Sequence, residues 1–92
     1  MDTMIRNFPL GRTVITSNAL ESLVMDDVVY ALRRHQRGDW GDVCKDDAEL
    51  NDDSLLTGCR VLSAYTDRND VKFWIITEAD RSVTTVLLPE DY

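Results

Sequence analysis

The chain has 92 residues, which is enough for one small domain but too short for a second hydrophobic core. Hydrophobic residues make up 43% of it and no apolar run approaches the ~18 residues of a membrane span, which excludes a disordered or membrane-spanning chain. The formal net charge of −7 argues against direct binding of nucleic acid, because phosphates bind basic surfaces.

The N-terminus and the cysteines bear on the cellular compartment. No basic and then apolar leader opens the chain, so no export signal is expected. The two cysteines, Cys44 and Cys59, are too few for a disulfide framework. A cytoplasmic protein is therefore the simplest expectation.

The negative charge is concentrated in one short segment. Residues 39–53 hold seven acidic side chains against the single base Lys45, so the segment has a net charge of −6. The rest of the chain is nearly balanced. Any function that depends on charge is therefore expected to involve residues 39–53.

The N-terminal part of the chain predicts an extended entry, a strand and a helical turn. Residues 1–11 are expected to be extended or turning because they contain a proline and a glycine. Residues 13–16 are β-branched throughout, which favours a strand. A helical turn should follow, with Asn18 as its N-cap and Glu21 placed to complete a capping box.

A longer helix is predicted next. Met25, Val28, Val29 and Leu32 recur at helical spacing and form one apolar stripe. Acidic residues at the start of this segment and arginines at its end match the helix dipole. Gly38 supplies the left-handed position that commonly follows a helix.

Residues 38–42 read Gly-Asp-Trp-Gly-Asp and predict a loop. Two alternatives exist for Trp40 at its centre: it anchors a partner from an exposed turn, or it folds back to plug the edge of a small core. From Asp42 or Val43 a further helix is predicted to about Leu56, where a following glycine ends it. The outer face of that helix is almost wholly acidic.

The C-terminal third changes to a period of two and predicts strands in residues 59–66, 71–78 and 82–88. Together with the helices these strands predict an α+β fold of a single domain, residues 1–92. Its sheet is an antiparallel three- to four-stranded meander over residues 59–88, covered on one face by two or three helices. Residues 12–58 are mainly helical, and the strand at 13–16 is the candidate fourth strand.

The middle strand of this meander is apolar on both faces. Val71, Phe73 and Ile75 point to one face, which is expected to pack on the helices. Trp74 and Ile76 point to the other face and are expected to be partly exposed. An exposed aromatic and aliphatic strip is typical of a dimer or partner surface.

Three segments carry a resemblance to a known group of proteins. They are Phe8-Pro9-Leu10-Gly11, Gly38-Asp39-Trp40-Gly41-Asp42-Val43-Cys44, and residues 74–92, which end Leu88-Pro89-Glu90-Asp91-Tyr92. Together they resemble short bacterial proteins known as plasmid-related or hypothetical proteins of plasmids and integrating elements. The resemblance covers most of the chain and implies a bacterial cytoplasm and a mobile genetic element. It brings no activity and no catalytic residues.

Nucleophilic catalysis would require a cysteine or serine beside a base, and the only histidine is His35. Cys44 or Cys59 could pair with it, and Asp39 or Asp42 could orient its ring. The simpler alternative places His35 at a helix C-terminus and Cys59 in the core as a small apolar residue.

No metal or cofactor is expected. The two cysteines and His35 match no zinc-site spacing. The acids of residues 46–53 lack the alternating ligands and central glycine of an EF-hand. The four glycines form no phosphate-binding pattern.

The leading prediction is a non-enzymatic interaction module of a bacterial mobile element that binds a protein partner through an acidic face and exposed aromatic residues. One alternative is an acidic mimic of nucleic acid that inhibits a host defence enzyme; another is a small Cys/His or metal-dependent enzyme. A homodimer through the second sheet face or an open strand edge is also considered, whereas direct contact with nucleic acid or membrane is not expected. The predicted interaction residues are Trp40, Trp74, Asp39, Asp42, Asp46, Asp47, Asp52 and Asp53.

Overall fold

The computed structural model describes residues 7–92 and shows an α+β fold, a four-stranded sheet with three helices. The predicted fold class is therefore confirmed. In chain order the elements are β1 (Arg12–Ile15), α1 (Ser17–Ser22), α2 (Met25–Gln36), α3 (Lys45–Thr57), β2 (Val61–Thr66), β3 (Lys72–Thr77) and β4 (Val83–Leu87), followed by a 3₁₀ turn at Pro89–Asp91.

The sheet has the strand order β1-β4-β3-β2. β2, β3 and β4 form the predicted antiparallel meander, and the candidate fourth strand is present as β1. β1 runs parallel to β4, so the sheet is mixed and the prediction of an antiparallel sheet throughout is corrected. Two parallel strands must be joined by a long crossover connection. Here the connection between β1 and β4 contains the three helices and strands β2 and β3.

Gly11 allows the chain to enter β1 beside β4. Its φ of +64° lies in the left-handed region, and an added Cβ would lie 2.3 Å from the carbonyl oxygen of Ser82. The next residue, Arg12, donates its backbone N–H to that same Ser82 oxygen over 2.9 Å. The backbones approach too closely here for a side chain, so glycine is required.

Helix α1 begins two residues earlier than predicted because Thr16, the residue after β1, is its N-cap. The Thr16 hydroxyl oxygen accepts from the backbone N–H of Ala19 at 3.2 Å. Asn18, the predicted cap, lies inside the helix and donates instead to Asp91 over 2.7 Å. The predicted capping box with Glu21 therefore does not form. Thr16 is already in extended backbone as it leaves the strand, which is the geometry an N-cap needs.

Helix α2 and the glycine after it lie where predicted, and Gly38 has a φ of +84°. Its buried face is rotated from the predicted stripe: Val28, Ala31 and His35 are buried, whereas Met25 and Val29 are exposed. An alanine and a histidine complete the buried row, and neither is recognised by an apolar pattern.

Side chains alternate between two faces of the sheet, which are named here by what covers them. The first face packs on α1 and α2, and its buried residues include Tyr65, Phe73, Ile75 and Val86. The predicted inward direction of Phe73 and Ile75 is therefore confirmed. The second face carries Val14, Leu62, Ala64, Trp74, Ile76, Thr85 and Leu87.

The C-terminal segment partly covers the second face. The ring of Tyr92 lies 5.6 Å from that of Trp74, and its hydroxyl accepts from Arg60 over 3.0 Å. Trp74 is half-buried, and Ile76 is only 4% exposed, which corrects the prediction that Ile76 is partly exposed. The fold-back of residues 89–92 is a contact between segments distant in sequence, so strand periodicity does not reveal it.

Helix α3 lies along the outer edge of β2. Its Asn51 side chain donates to the Leu62 carbonyl over 2.8 Å and accepts from the Leu62 N–H over 3.2 Å, as a neighbouring strand would. The helix starts at Lys45, two or three residues after the predicted start, and ends at Gly58 with a φ of +80°, as predicted.

None of the helices in residues 7–92 has the length and apolar character needed to cross a membrane.

Candidate functional site

The loop of residues 38–42 places Trp40 in the core. The Trp40 side chain is 5% exposed, with ring centroids 6.1 Å from Phe8 and 5.6 Å from His35. Gly41 pairs with Ala64 of β2, and a Cβ on Gly41 would lie 2.0 Å from the Ala64 carbonyl oxygen. Trp40 therefore plugs the core, and its assignment to the interaction surface is corrected.

Three of the six predicted acidic site residues are bound within the fold. Asp39 accepts two hydrogen bonds from Arg34, at 2.8 and 3.1 Å, and these bonds hold its pKa below the usual range. Asp42 accepts from the Thr66 hydroxyl at 3.2 Å. Asp52 accepts from the indole N–H of Trp40 at 3.0 Å. These carboxylates have structural partners and are not freely available to a ligand.

The other three, Asp46, Asp47 and Asp53, are exposed and have no side-chain hydrogen bond or ion pair within residues 7–92. Helical spacing puts Asp46 and Asp53 on the side of α3 that faces away from the sheet, together with Glu49. We call Asp46, Glu49 and Asp53 the acidic stripe. Asp47 points instead toward the second face of the sheet.

Two leucines flank the acidic stripe. Leu50 is 61% exposed and Leu56 is 88% exposed, so both present apolar surface to solvent beside the stripe. Sequence reasoning missed Leu50 and Leu56 as surface residues. A helical wheel anchored on Asn51 and Leu55 would have placed both leucines outside, but nothing local marks an asparagine as the buried position.

A groove of about 350 Å³ runs between α3 and the second face of the sheet. Its apolar walls are Val43, Leu50 and Leu62, while Asp47 and Arg60 provide opposite charges. The groove is partly open to solvent. It therefore adds concave apolar surface beside the outer face of α3.

The charge density of the acidic stripe bears on the mimic hypothesis. Three carboxylates spaced over seven residues of helix cover about 10 Å. Duplex DNA presents about six charges over the same length, one per ~1.7 Å of axis. The stripe thus carries roughly half the line charge of the polymer it would imitate, so its geometry fits a mixed acidic and apolar protein contact better.

His35 lies at the centre of a buried polar cluster that sequence reasoning missed. Its Nδ1 is hydrogen-bonded to the hydroxyl of Ser63, and its Nε2 lies 2.9 Å from the hydroxyl of Thr77. Thr77 in turn contacts the hydroxyl of Thr84 at 2.7 Å, and Thr84 donates to the Leu10 carbonyl at 2.7 Å. All four side chains are fully buried.

The cluster fixes the tautomer of His35. Thr84 gives its only hydroxyl proton to a carbonyl oxygen, so it must accept from Thr77. Thr77 therefore has only lone pairs left for His35, and Nε2 must carry the proton. Nδ1 is then the acceptor of the Ser63 hydroxyl. Every donor in the row is used once, which is the condition for burying polar groups at low cost.

Burial keeps His35 neutral. Loss of water and, to a smaller extent, the nearby positive charge of Arg81 together lower the pKa of its imidazole to about 3. A serine hydroxyl beside a histidine is also the arrangement of an activated nucleophile. Here neither side chain has exposed surface, so the pair is closed to substrate and stabilises the interior.

The predicted Cys–His pair is not assembled. Both ring nitrogens of His35 are occupied, while Cys44 and Cys59 are exposed and free. The expectation that Cys59 is a core residue is corrected, because β2 begins only at Val61. Across the part of the chain that is described, no group of three His, Cys, Asp or Glu side chains could hold a metal ion.

Comparisons of the chain with family models, curated proteins and solved structures gave no match. The resemblance to plasmid-related proteins therefore stays a hypothesis.

Proposed function

We propose that this protein is a binding module whose outer α3 face docks on a protein partner. The contact surface consists of the acidic stripe with Leu50 and Leu56 at its sides. The partner would present basic side chains around an apolar patch. The single observation that carries the proposal is the exposure of these two leucines beside three exposed carboxylates that have no hydrogen-bond or ion-pair partner among residues 7–92.

The leucines supply affinity. Fully burying a leucine side chain releases roughly 1.5–3 kcal/mol, whereas exposed ion pairs contribute about 0–1 kcal/mol each. Leu56, at 88% exposed, has nearly all of this free energy still to gain. Its neighbour Leu50 continues the apolar surface into the groove beside α3.

The acidic stripe orients the approaching partner and raises the rate of association. A local cluster of like charges steers a basic partner and raises the association rate, and salt weakens this effect. The stripe accounts for three of the charges in a chain whose net charge is −7. Binding is therefore expected to slow as salt is added, while the leucine contacts persist.

The scaffold holds the surface in place before binding. Asn51 bonds the edge of β2, Asp52 bonds Trp40, and Arg81 donates to the Ser54 carbonyl at 3.1 Å. These contacts tie α3 to three other segments. A preorganised helix loses little conformational entropy on binding, so more of the contact free energy appears as affinity.

The proposal includes a cellular compartment, the bacterial cytoplasm. Two free cysteines suit the reducing bacterial cytoplasm that the resemblance to mobile-element proteins implies. Inhibition of a nucleic-acid-binding enzyme would be one case of the same contact, with the partner's basic groove receiving the stripe.

The test compares two variants of equal charge change. One removes the stripe (Asp46→Asn, Glu49→Gln, Asp53→Asn), and the other neutralises three exposed acids elsewhere (Glu21→Gln, Asp70→Asn, Glu90→Gln). A third variant, Leu56→Ser, removes apolar contact alone. The immobilised proteins are used to capture partners from bacterial lysate at low and physiological salt, followed by quantitative mass spectrometry.

One protein should be retained by the wild type and by the control triple, and reduced about tenfold or more by the stripe triple and by Leu56→Ser. Its association should slow with salt. Retention of the same proteins by all four baits would overturn the proposal.

A further inference from the structure

The two outer strands of the sheet differ in how their edges are protected. On β2 the N–H and C=O of Leu62 bond the side chain of Asn51, and those of Ala64 bond the loop of residues 38–42 and its neighbours. β1 has β4 as its only neighbour, and its outer edge forms no hydrogen bond within residues 7–92. Unpaired N–H and C=O groups along a strand edge are a template for another strand.

The outward groups of β1 follow from its pairing with β4. The backbone N–H groups of Arg12 and Thr16 both donate to β4 and its preceding residue, at 2.9 and 3.0 Å. Because backbone direction alternates with a period of two, Val14 also points its N–H and C=O toward β4. Thr13 and Ile15 therefore direct theirs away from the sheet. The open edge thus offers two donors and two acceptors.

The segments that flank β1 leave this edge accessible. Before the strand, the Leu10 carbonyl accepts from the hydroxyl of Thr84 on β4 at 2.7 Å. After the strand, Ala19 of α1 belongs to the same buried cluster as Val86 of β4. Both segments thus turn inward over the first face and do not run along the outer side of β1.

Two unlike charges lie at the two ends of β1, and neither has an ionic partner within residues 7–92. Arg12 is exposed and lies on the second face. Asp91 is held beside Thr16 by three neutral donors, a hydroxyl, a side-chain amide and a backbone N–H, at 2.7, 2.7 and 3.0 Å. Arg12 and Thr16 are four residues apart on the strand, about 13 Å, so the two charges do not meet within one copy.

We infer that a second copy of this chain pairs with the outer edge of β1, antiparallel and about a two-fold axis perpendicular to the sheet. The register that uses every outward group pairs Thr13 of each copy with Ile15 of the other, through four backbone hydrogen bonds. Val14 then faces Val14 of the second copy across the axis. The two sheets become one continuous sheet of eight strands.

The same register brings the unlike charges together. Arg12 of one copy lies opposite Thr16 of the other, and Thr16 bonds Asp91. Opposite residues in such a non-hydrogen-bonded pair have Cα atoms ~4.5 Å apart, with both side chains on the same face. Arg12 therefore reaches Asp91 of the second copy, twice per dimer. An antiparallel copy of β1 thus complements it in both hydrogen bonding and charge.

The contact is small, and it leaves the proposed function intact. Strand pairing over four residues with exposed ion pairs predicts a weak, reversible dimer. Helix α3 lies at the opposite edge of the sheet, beyond β2, so its outer face stays open in the dimer. The inference rests on the edge of β1 and does not depend on whether α3 has a partner.

Sedimentation equilibrium over about 1 µM to 1 mM tests the inference, and a reversible monomer–dimer equilibrium is expected for the wild type. Thr13→Pro removes an outward N–H and keeps the bonds to β4, because proline is tolerated where an edge strand faces solvent. It should weaken dimerisation at least tenfold. Thr13→Val keeps the N–H and should leave dimerisation unchanged.

Cross-linking tests the register, in a background of Cys44→Ser and Cys59→Ser. Val14→Cys places two thiols across the axis with Cα atoms ~4.5 Å apart, within the range of a disulfide. Thr13→Cys places the Cα atoms ~8 Å apart, beyond that range. Mild oxidation should cross-link the Val14→Cys variant at least tenfold faster than the Thr13→Cys variant.

Charge variants test the ion pair and leave the backbone unchanged, so they remain decisive if Thr13→Pro does not fold. Arg12→Gln and Asp91→Asn should each weaken the dimer several-fold, and the double variant should weaken it no further. Arg33→Gln, on the exposed side of α2, should have no effect. A wild type that stays monomeric at 1 mM, equal cross-linking of the two cysteine variants, or a dimer that neither charge variant weakens would overturn the inference.

Discussion

Helices α2 and α3 are similar in length, at 12 and 13 residues, but they are attached to the sheet by different forces. α2 buries Val28, Ala31 and His35 against the first face. α3 buries a single residue, Asn51, and that residue makes hydrogen bonds. α2 thus builds the core. α3 is held at an edge, where Ala48 and Leu55 are only partly buried and Leu50 and Leu56 stay outside.

Because the two helices are attached differently, α2 contributes mainly to the stability of the fold, whereas α3 has a side that is available for the proposed recognition. Core packing fixes α2 through many short contacts, so few of its side chains can change without loss of stability. α3 is fixed on one side by a few hydrogen bonds and by the partial packing of Ala48 and Leu55, so the opposite side makes no contact that the fold needs. A helix of this second kind can carry exposed leucines and carboxylates at little cost to the fold.

The largest effect on stability is expected when His35, the buried polar side chain of α2, is removed. His35→Ala should lower the free energy of unfolding by about 3 kcal/mol, because it leaves a cavity and strands the hydroxyls of Ser63 and Thr77. Arg33→Ala, on the exposed side of the same helix, should change it by less than about 0.5 kcal/mol. Urea unfolding measures both. A loss below about 1 kcal/mol for His35→Ala would contradict a core role for this cluster.

The next test uses pH. The pKa of His35 is about 3 in the fold, against an ordinary value of 6.5 when unfolded, so below pH 6.5 the unfolded chain binds the extra proton. Stability is therefore complete above pH 6.5 and falls as pH decreases, by about 2 kcal/mol at pH 5. Unfolding curves of the wild type and His35→Gln between pH 7 and 5 check this. The variant should show a much flatter dependence, and equal slopes would disprove the assignment.

The smallest effect is expected on α3. Asn51→Ala should cost about 1–2 kcal/mol, because the N–H and C=O of Leu62 lose their partners at the sheet edge. Asp53→Ala, on the outer side, should stay within about 0.5 kcal/mol. Thermal and urea unfolding give both values. If Asn51→Ala were neutral, apolar packing rather than hydrogen bonding would hold α3, and the contrast with α2 would disappear.

The sequence predicted those elements whose signals lie within a few residues of one another. Helix α2 was located because its acidic start, basic end and Gly38 agree, and Gly58 marked the end of α3 for the same reason. The turn between β2 and β3 consists of residues 67–70, whose side chains tolerate turn geometry, and Asp70 has a φ of +64°. These features depend on local backbone preference alone.

The candidate site was predicted only in part. Charge counting identified the acidic segment, but it could not tell Asp39, Asp42 and Asp52, which are bound within the fold, from Asp46 and Asp53. The partners that bind them lie on other elements, between 5 and 24 residues away. A carboxylate therefore looks the same in sequence whether it holds the fold together or faces solvent.

By itself, the sequence determined which segments form helices, strands and turns, and how charge is distributed along the chain. Only the tertiary structure decided that Trp40 and His35 are interior, that β1 joins β4 in parallel, and that Leu56 stays outside. The physical reason is range: backbone propensity acts over about one turn, whereas burial depends on contacts such as His35 with Ser63 and Thr16 with Asp91, which lie 28 and 75 residues apart.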